Sequence, residues 1–331
     1  RPYTCCSLSL GVRVHASTLQ LTHGLIDYAG LFPPAALDMQ TAVDAYARYR
    51  QSAMKTMLAR FICPVSRLGE FHTATGDTAE GWGLSVLATP DGGIPGLEQD
   101  MRTLAAFHQE SGARGECVEL RVLQEFAHAP QKEIATTVRA MADTVATAGP
   151  SELYLELGFG EGWPEVLRNA VDGIALAAAE TPVRVGLKVR TGGVPASAFP
   201  SVEQVAGFII DAKEAGLPFK ATAGLHHPVR HFASSVNAKM HGFLNVFVGA
   251  VLYYHDRIST ETLRDVLRDE DAASFQFTEA GLSWRDVPLS TAELAQARSF
   301  ATSYGSCSFV EPWQDLHALG LAEATPPAGS L

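Results

Sequence analysis

Short apolar runs rich in β-branched residues return along this chain at intervals of roughly 25 to 35 residues, each followed by a segment of helical periodicity. The first seven runs are L-I-D-Y-A-G-L-F, T-M-L-A-R-F-I-C-P, W-G-L-S-V-L-A-T, E-C-V-E-L-R-V-L, E-L-Y-L-E-L-G-F, V-R-V-G-L-K-V-R and P-F-K-A-T. Between them, Asp38 caps a helix through Arg50, a short helix ends at Phe71, and further helices cover Leu97 to Ser111, Pro130 to Thr147 and Trp163 to Ala179. Leu244 to Leu252, L-N-V-F-V-G-A-V-L, is taken as the eighth strand, although so long an apolar run also suits a buried helix. Eight alternations favour an α/β fold of the (β/α)8 TIM-barrel type over an open doubly wound sheet. No G-x-G-x-x-G follows the first strand and no G-x-x-x-x-G-K-[ST] occurs, which removes the usual nucleotide-binding readings.

The pattern stops after Ser259. A helix (Thr260 to Arg268), a hairpin (F-Q-F-T-E-A-G-L-S-W), a helix (Thr291 to Thr302) and the turn-rich S-Y-G-S-C-S-F-V-E-P follow. The expected organisation is a disordered extension over 1–18, a barrel over 19–258 and a C-terminal α+β appendage, 259–331, packed on it. The chain starts R-P-Y-T-C-C-S-L-S-L-G-V-R-V-H-A, which mimics a short signal peptide; Arg13 interrupts its apolar stretch, so an upstream extension is the preferred reading.

A chain of 331 residues with 47% hydrophobic side chains can bury a large core. Its net charge of −11 and the lack of any basic run argue against nucleic acid or an anionic membrane surface as partner. The expected partners are a small-molecule substrate and other copies of the same chain. No apolar run reaches the roughly 20 residues that cross a bilayer. Five cysteines without C-x-x-C spacing indicate neither a disulfide framework nor a zinc ribbon, and point to reduced thiols in a cytoplasm. Cys63 and Cys307 lack a histidine at a diagnostic spacing and read as buried, unreactive thiols.

Two of the runs each carry a lysine near a glycine turn: Lys188 in V-R-V-G-L-K-V-R-T-G-G and Lys220 in P-F-K-A-T-A-G. The segment between them starts at Ser201, a helix cap, with Glu203 in the first turn and an apolar face of Val202, Val205, Ala206, Ile209, Ile210 and Ala212. Strand, helix, strand is a right-handed crossover that lays its strands parallel, so both amines are expected at one edge of one sheet. Two like charges there should push one amine toward its neutral, nucleophilic form. Alternation along each strand sends Gly186, Lys188 and Arg190 inward, with Tyr154 and Glu156, Cys117, Glu119 and Arg121, Lys220 and Thr222, and Arg60. So charged an interior must pair its ions and serve a ligand at the C-terminal mouth, or else be a purely structural network. Asp27 and Tyr28 lie where they reach the mouth or anchor a loop.

K-V-R-T-G-G followed by K-A-T-A-G resembles the class I aldolases of the deoxyribose-phosphate aldolase type, which carry K-T-S-T-G on the sixth strand and K-A-x-G-G on the seventh; the likeness covers about residues 186–225. The resemblance implies that Lys188 is the Schiff-base lysine, that Lys220 lowers its pKa, and that Glu119, one methylene longer than the family's aspartate, handles the proton of the aldol step. Where the family holds a substrate phosphate with G-G-[IV]-[RK]-T, this chain has A-G-L-H-H-P-V-R-H. An unphosphorylated carbonyl compound, or a carboxylate held by Arg190, Arg60 or Arg230, is therefore an equal expectation.

His226, His227, His231 and His241 follow the seventh strand. One of the first two, with His231 or His241 and a carboxylate such as Glu156, offers a three-ligand metal site; acid–base work by His226 or His227 is the simpler use. Three functions follow: a lysine-dependent lyase of aldolase type that needs no cofactor, a metal-dependent hydrolase or lyase using the four histidines, and a non-catalytic barrel binding a small anion.

Overall fold

The computed structural model describes residues 14–90 and 92–322; Cys5, Cys6 and most of the proposed extension lie outside them. Strands β1 (Ile26–Tyr28), β2 (Leu58–Pro64), β3 (Gly83–Leu87), β4 (Arg114–Arg121), β5 (Glu152–Leu157), β6 (Arg184–Arg190) and β7 (Phe219–Thr222) follow one another with helices between. A hairpin, β8 (His231–Ala233) and β9 (Ala238–Met240), and a three-stranded sheet, β10 (Phe275–Phe277), β11 (Gly281–Trp284) and β12 (Val287–Ser290), come before β13 (Ala301–Ser306). Seven strands and β13 close an eight-stranded barrel in the order β1-β13-β7-β6-β5-β4-β3-β2. Every neighbouring pair in it is parallel. The fold is the expected (β/α)8 barrel.

Two expectations change. Residues 244–252 form no strand but the middle of a helix, Phe243–Tyr254, buried on all sides from Phe243 to Tyr253. A helix can be apolar all round when it is covered all round, and here its neighbours include β13 and the helix Thr260–Arg268. The strand that closes the ring is A-T-S-Y-G-S, between β7 and β1, within the segment expected to be an appendage. Residues 259–322 are thus part of the barrel's construction, and the helix expected over 291–302 stops at Ala297 so that this strand can form. The helix Ala16–Thr22 likewise starts inside the expected 1–18 extension.

The helix Val202–Glu214 is capped by Ser201 as expected, and Gln204 completes a capping box: Ser201 Oγ accepts from the Gln204 amide and Gln204 Oε1 from the Ser201 amide. Val205, Ala206 and Ile209 are wholly buried, as are Val185 and Leu187 on the outward parity of β6. Inside the barrel, a Cβ at Gly186 would stand 2.5 Å from the Tyr154 ring and 2.8 Å from the Pro218 carbonyl oxygen. Glycine there lets the tyrosine lie across the interior beneath the lysines.

Candidate active site

Register brings the charged residues together. Lys188 is paired with Glu156 of β5 on one side and Lys220 of β7 on the other, while Glu119 reaches across from β4. Lys188 Nζ lies 2.6 Å from Glu119 Oε2 and 2.8 Å from Glu156 Oε2. Lys220 Nζ lies 2.5 Å from Glu119 Oε1 and 2.7 Å from Asp27 Oδ2, with Ser85 Oγ at 3.3 Å. The two amines therefore share one carboxylate, each on its own oxygen. Arg190 Nε, 3.3 Å from Glu156 Oε1, ends a row of alternating sign: Asp27, Lys220, Glu119, Lys188, Glu156, Arg190.

This arrangement reverses the electrostatic expectation for the lysines. Burial alone would lower both amines, but Glu119 and Glu156 hold Lys188 above its ordinary value, and Asp27 and Glu119 hold Lys220 well above its own. Neither lysine depresses the other because a carboxylate stands between them. The same attraction works on the acids: burial raises Glu119 and Glu156, yet Lys188 and Lys220 keep Glu119, and Lys188 and Arg190 keep Glu156, below the usual carboxyl range. A row of ions out of water survives only when each is paired and hydrogen-bonded. Ser85 Oγ donates to Glu119 Oε1 at 2.5 Å and Ser303 Oγ to Asp27 Oδ2 at 2.7 Å. Both serines escaped the sequence reading. Ser85 had a signal, a small polar residue amid an apolar strand, whereas Ser303 sits on the strand that was not recognised.

The remaining candidates divide. Asp27 is fully buried and holds Lys220 and the Arg60 amide, so it is a foundation of the site and not a residue at its rim. Tyr28 points the other way, packed among Tyr46, Tyr49 and Phe61. Arg60 is inward but at the opposite end of the barrel: its guanidinium pairs with Glu116 at 2.9 Å and with Glu152, the first residue of β5, at 2.8 Å. That places it apart from the lysine row and away from the C-terminal mouth, where its expected role as a carboxylate ligand would lie. Arg121, the last residue of β4, is exposed and has no acidic partner among the described residues. It borders a cavity of about 330 Å³ whose walls include Val122, Leu157, Val166 and Ala170.

The histidines disperse. His226 Nδ1 faces Glu311 at 3.4 Å and His227 Nδ1 faces Asp315 at 2.6 Å. His231 turns to the Val229 carbonyl, with its ring edge-on to His227. His241 is buried between the Pro200 carbonyl and Arg230, and burial pulls it down to about 4. Arg230 is thereby committed to His241, apart from the lysine row. Among the described residues no three histidine, cysteine or acidic side chains are grouped to hold a metal, so the metal-dependent reading lacks its ligand set. Buried Cys63 and Cys117 are pushed up to about 12 by desolvation, as expected of inert thiols.

Fold and site together define a (β/α)8 barrel with two buried lysines on consecutive strands, bridged by a glutamate near the C-terminal mouth. No family model matches the chain, and no curated protein matches it in sequence. Among solved structures it is similar to a "putative deoxyribose-phosphate aldolase" from Toxoplasma gondii ME49, with a TM-score of 0.44 and 12% identity over 78% of this chain and 96% of that one. So loose a superposition bears on neither activity nor substrate. No helix among the described residues is long and apolar enough to cross a membrane.

Proposed function

We propose that this protein is a lysine-dependent lyase of aldolase type, in which Lys188 forms an imine with a small carbonyl compound. One observation carries the reading: Lys188 Nζ, 6% exposed as a side chain, sits between two carboxylates, one of them bound to the half-exposed Arg190. A buried ammonium flanked by proton acceptors can surrender its proton locally, attack a carbonyl carbon, and have that proton returned to the departing hydroxyl, which leaves as water. Lys220, deeper and tied to Asp27 and Glu119, fixes the position and ionisation of Glu119. The motif likeness to class I aldolases supports the same assignment of Lys188.

Cyanoborohydride added with a panel of aldehydes and oxo acids is expected to fix one substrate mass on Lys188, located by peptide mass spectrometry, and Lys188→Met to abolish it. Absence of an adduct at Lys188 across the whole panel overturns the proposal.

A further inference from the structure

The two acids that touch Lys188 are not equivalent. Glu119 is held at both oxygens, though not alike: Oε1 accepts from Ser85 and Lys220, each at 2.5 Å, and Oε2 makes an ion-pair contact with Lys188 at 2.6 Å without a hydrogen bond of its own. It is buried beneath the amine and balanced by two fixed cations. Glu156 has a different second partner. Its Oε2 holds Lys188, but among the described residues its Oε1 holds only Arg190, whose side chain is 50% exposed at the last position of β6. An arginine half in water at the mouth can exchange one carboxylate for another at small cost, because partly solvated ion pairs contribute little net stability.

We infer that Arg190 passes from Glu156 to an anionic group on the incoming substrate, and that Glu156, so released, takes the proton from Lys188. The inference rests on the imine reading above and deepens it by naming the substrate class. In the resting row, Arg190 and Lys188 both stabilise the Glu156 carboxylate against a burial that favours its neutral form. Withdrawal of Arg190 leaves that burial opposed by Lys188 alone, and the proton shared across 2.8 Å moves toward the acid. The amine then adds to the carbonyl carbon, the resulting carbinolamine hydroxyl receives the proton of the Glu156 carboxylic acid and departs as water, and the protonated imine remains. Glu156 ends as it began, a carboxylate, so no outside acid, oxidant or reductant is needed.

The spacing also sets the size of the substrate. Arg190 and Lys188 are two residues apart on one strand, with Cα atoms about 7 Å apart and side chains on the same face. A carboxylate on Arg190 and a carbonyl carbon on Lys188 thus belong to one compact molecule, a short oxo acid.

The test compares trapping of glyoxylate and acetaldehyde, two-carbon aldehydes with and without a carboxylate, on the full chain with cyanoborohydride. Arg190→Gln is expected to lower the glyoxylate-to-acetaldehyde ratio of adduct at Lys188 by about tenfold, the value of one charge-assisted contact, and Arg190→Lys to restore part of it. Glu156→Gln is expected to slow trapping of both and to flatten its dependence on pH. If adducts form but the ratio in Arg190→Gln equals that of the wild type, the exchange at Arg190 is refuted while the imine survives. If no carbonyl compound labels Lys188, both readings fall together.

Discussion

At the scale of single residues, Glu119 decides the state of the site. Its one negative charge separates two ammonium groups, and its removal leaves them facing each other out of water with Asp27 and Glu156 as the nearest remaining acids. Glu119→Gln is expected to cost about 3–5 kcal/mol, the range for breaking a buried ion pair. Urea denaturation checks this as a fall in midpoint at unchanged slope. The pH dependence has a sign on each flank. Glu119 and Glu156 are lowered from 4.5, so they bind protons less readily folded than unfolded; their contribution is present above that value and lost as pH falls through the folded one. Lys188 and Lys220 are raised from 10.5, so theirs is complete below that value and lost as pH rises through the folded one. Denaturation midpoints measured from acid to alkali should form a plateau with a fall at either end, and Lys188→Met should reduce the alkaline fall. The inward parity of these residues was legible because strand alternation fixes it. Their pairing was not: two lysines in sequence announce repulsion, and only the register shows an acid from β4 standing between them.

At the scale of elements, amphipathic pieces were readable and fully buried or weakly patterned ones were not. Ser201 with Gln204 and Asp38 with Thr41 cap helices at the expected residues, since a capping side chain declares itself next to the helix it starts. The helix Phe243–Tyr254 gives no periodicity to read because it has no solvent face. One polar residue inside it explains the need for that position. Asn245 accepts from the Arg230 amide at 2.7 Å and donates to the carbonyls of Val266 and Asp269 at 2.7 and 2.8 Å, tying the loop after β7 to the following helix. Asn245→Leu strands an amide and two carbonyls, and a loss of about 3 kcal/mol is expected in thermal or urea unfolding. Ser201→Ala, which removes one cap, should cost about 1 kcal/mol in the same assay.

At the scale of the whole molecule, closure depends on residues remote in sequence. β13 arrives after a long excursion of helices and a separate sheet, and its A-T-S-Y-G-S has too few apolar or β-branched residues to be read as a strand. Its composition suits its place: the buried Ser303 hydroxyl serves Asp27, and a Cβ at Gly305 would stand 3.0 Å from Ile62 and 3.1 Å from the Thr222 hydroxyl. The ion pair between Asp27 of β1 and Lys220 of β7 spans the gap that β13 fills. A chain ended at residue 258 therefore loses more than a peripheral layer. It leaves β1 and β7 as bare edges, exposes the row of buried charges to water, and uncovers the helix Phe243–Tyr254 where β13 and the helix Thr260–Arg268 packed on it. Such a fragment is expected to show no cooperative urea transition and to bind a hydrophobic dye. A detachable appendage predicts the opposite, a fragment that unfolds in one step near the midpoint of the full chain, and that outcome would mean the seven remaining strands can close without the eighth.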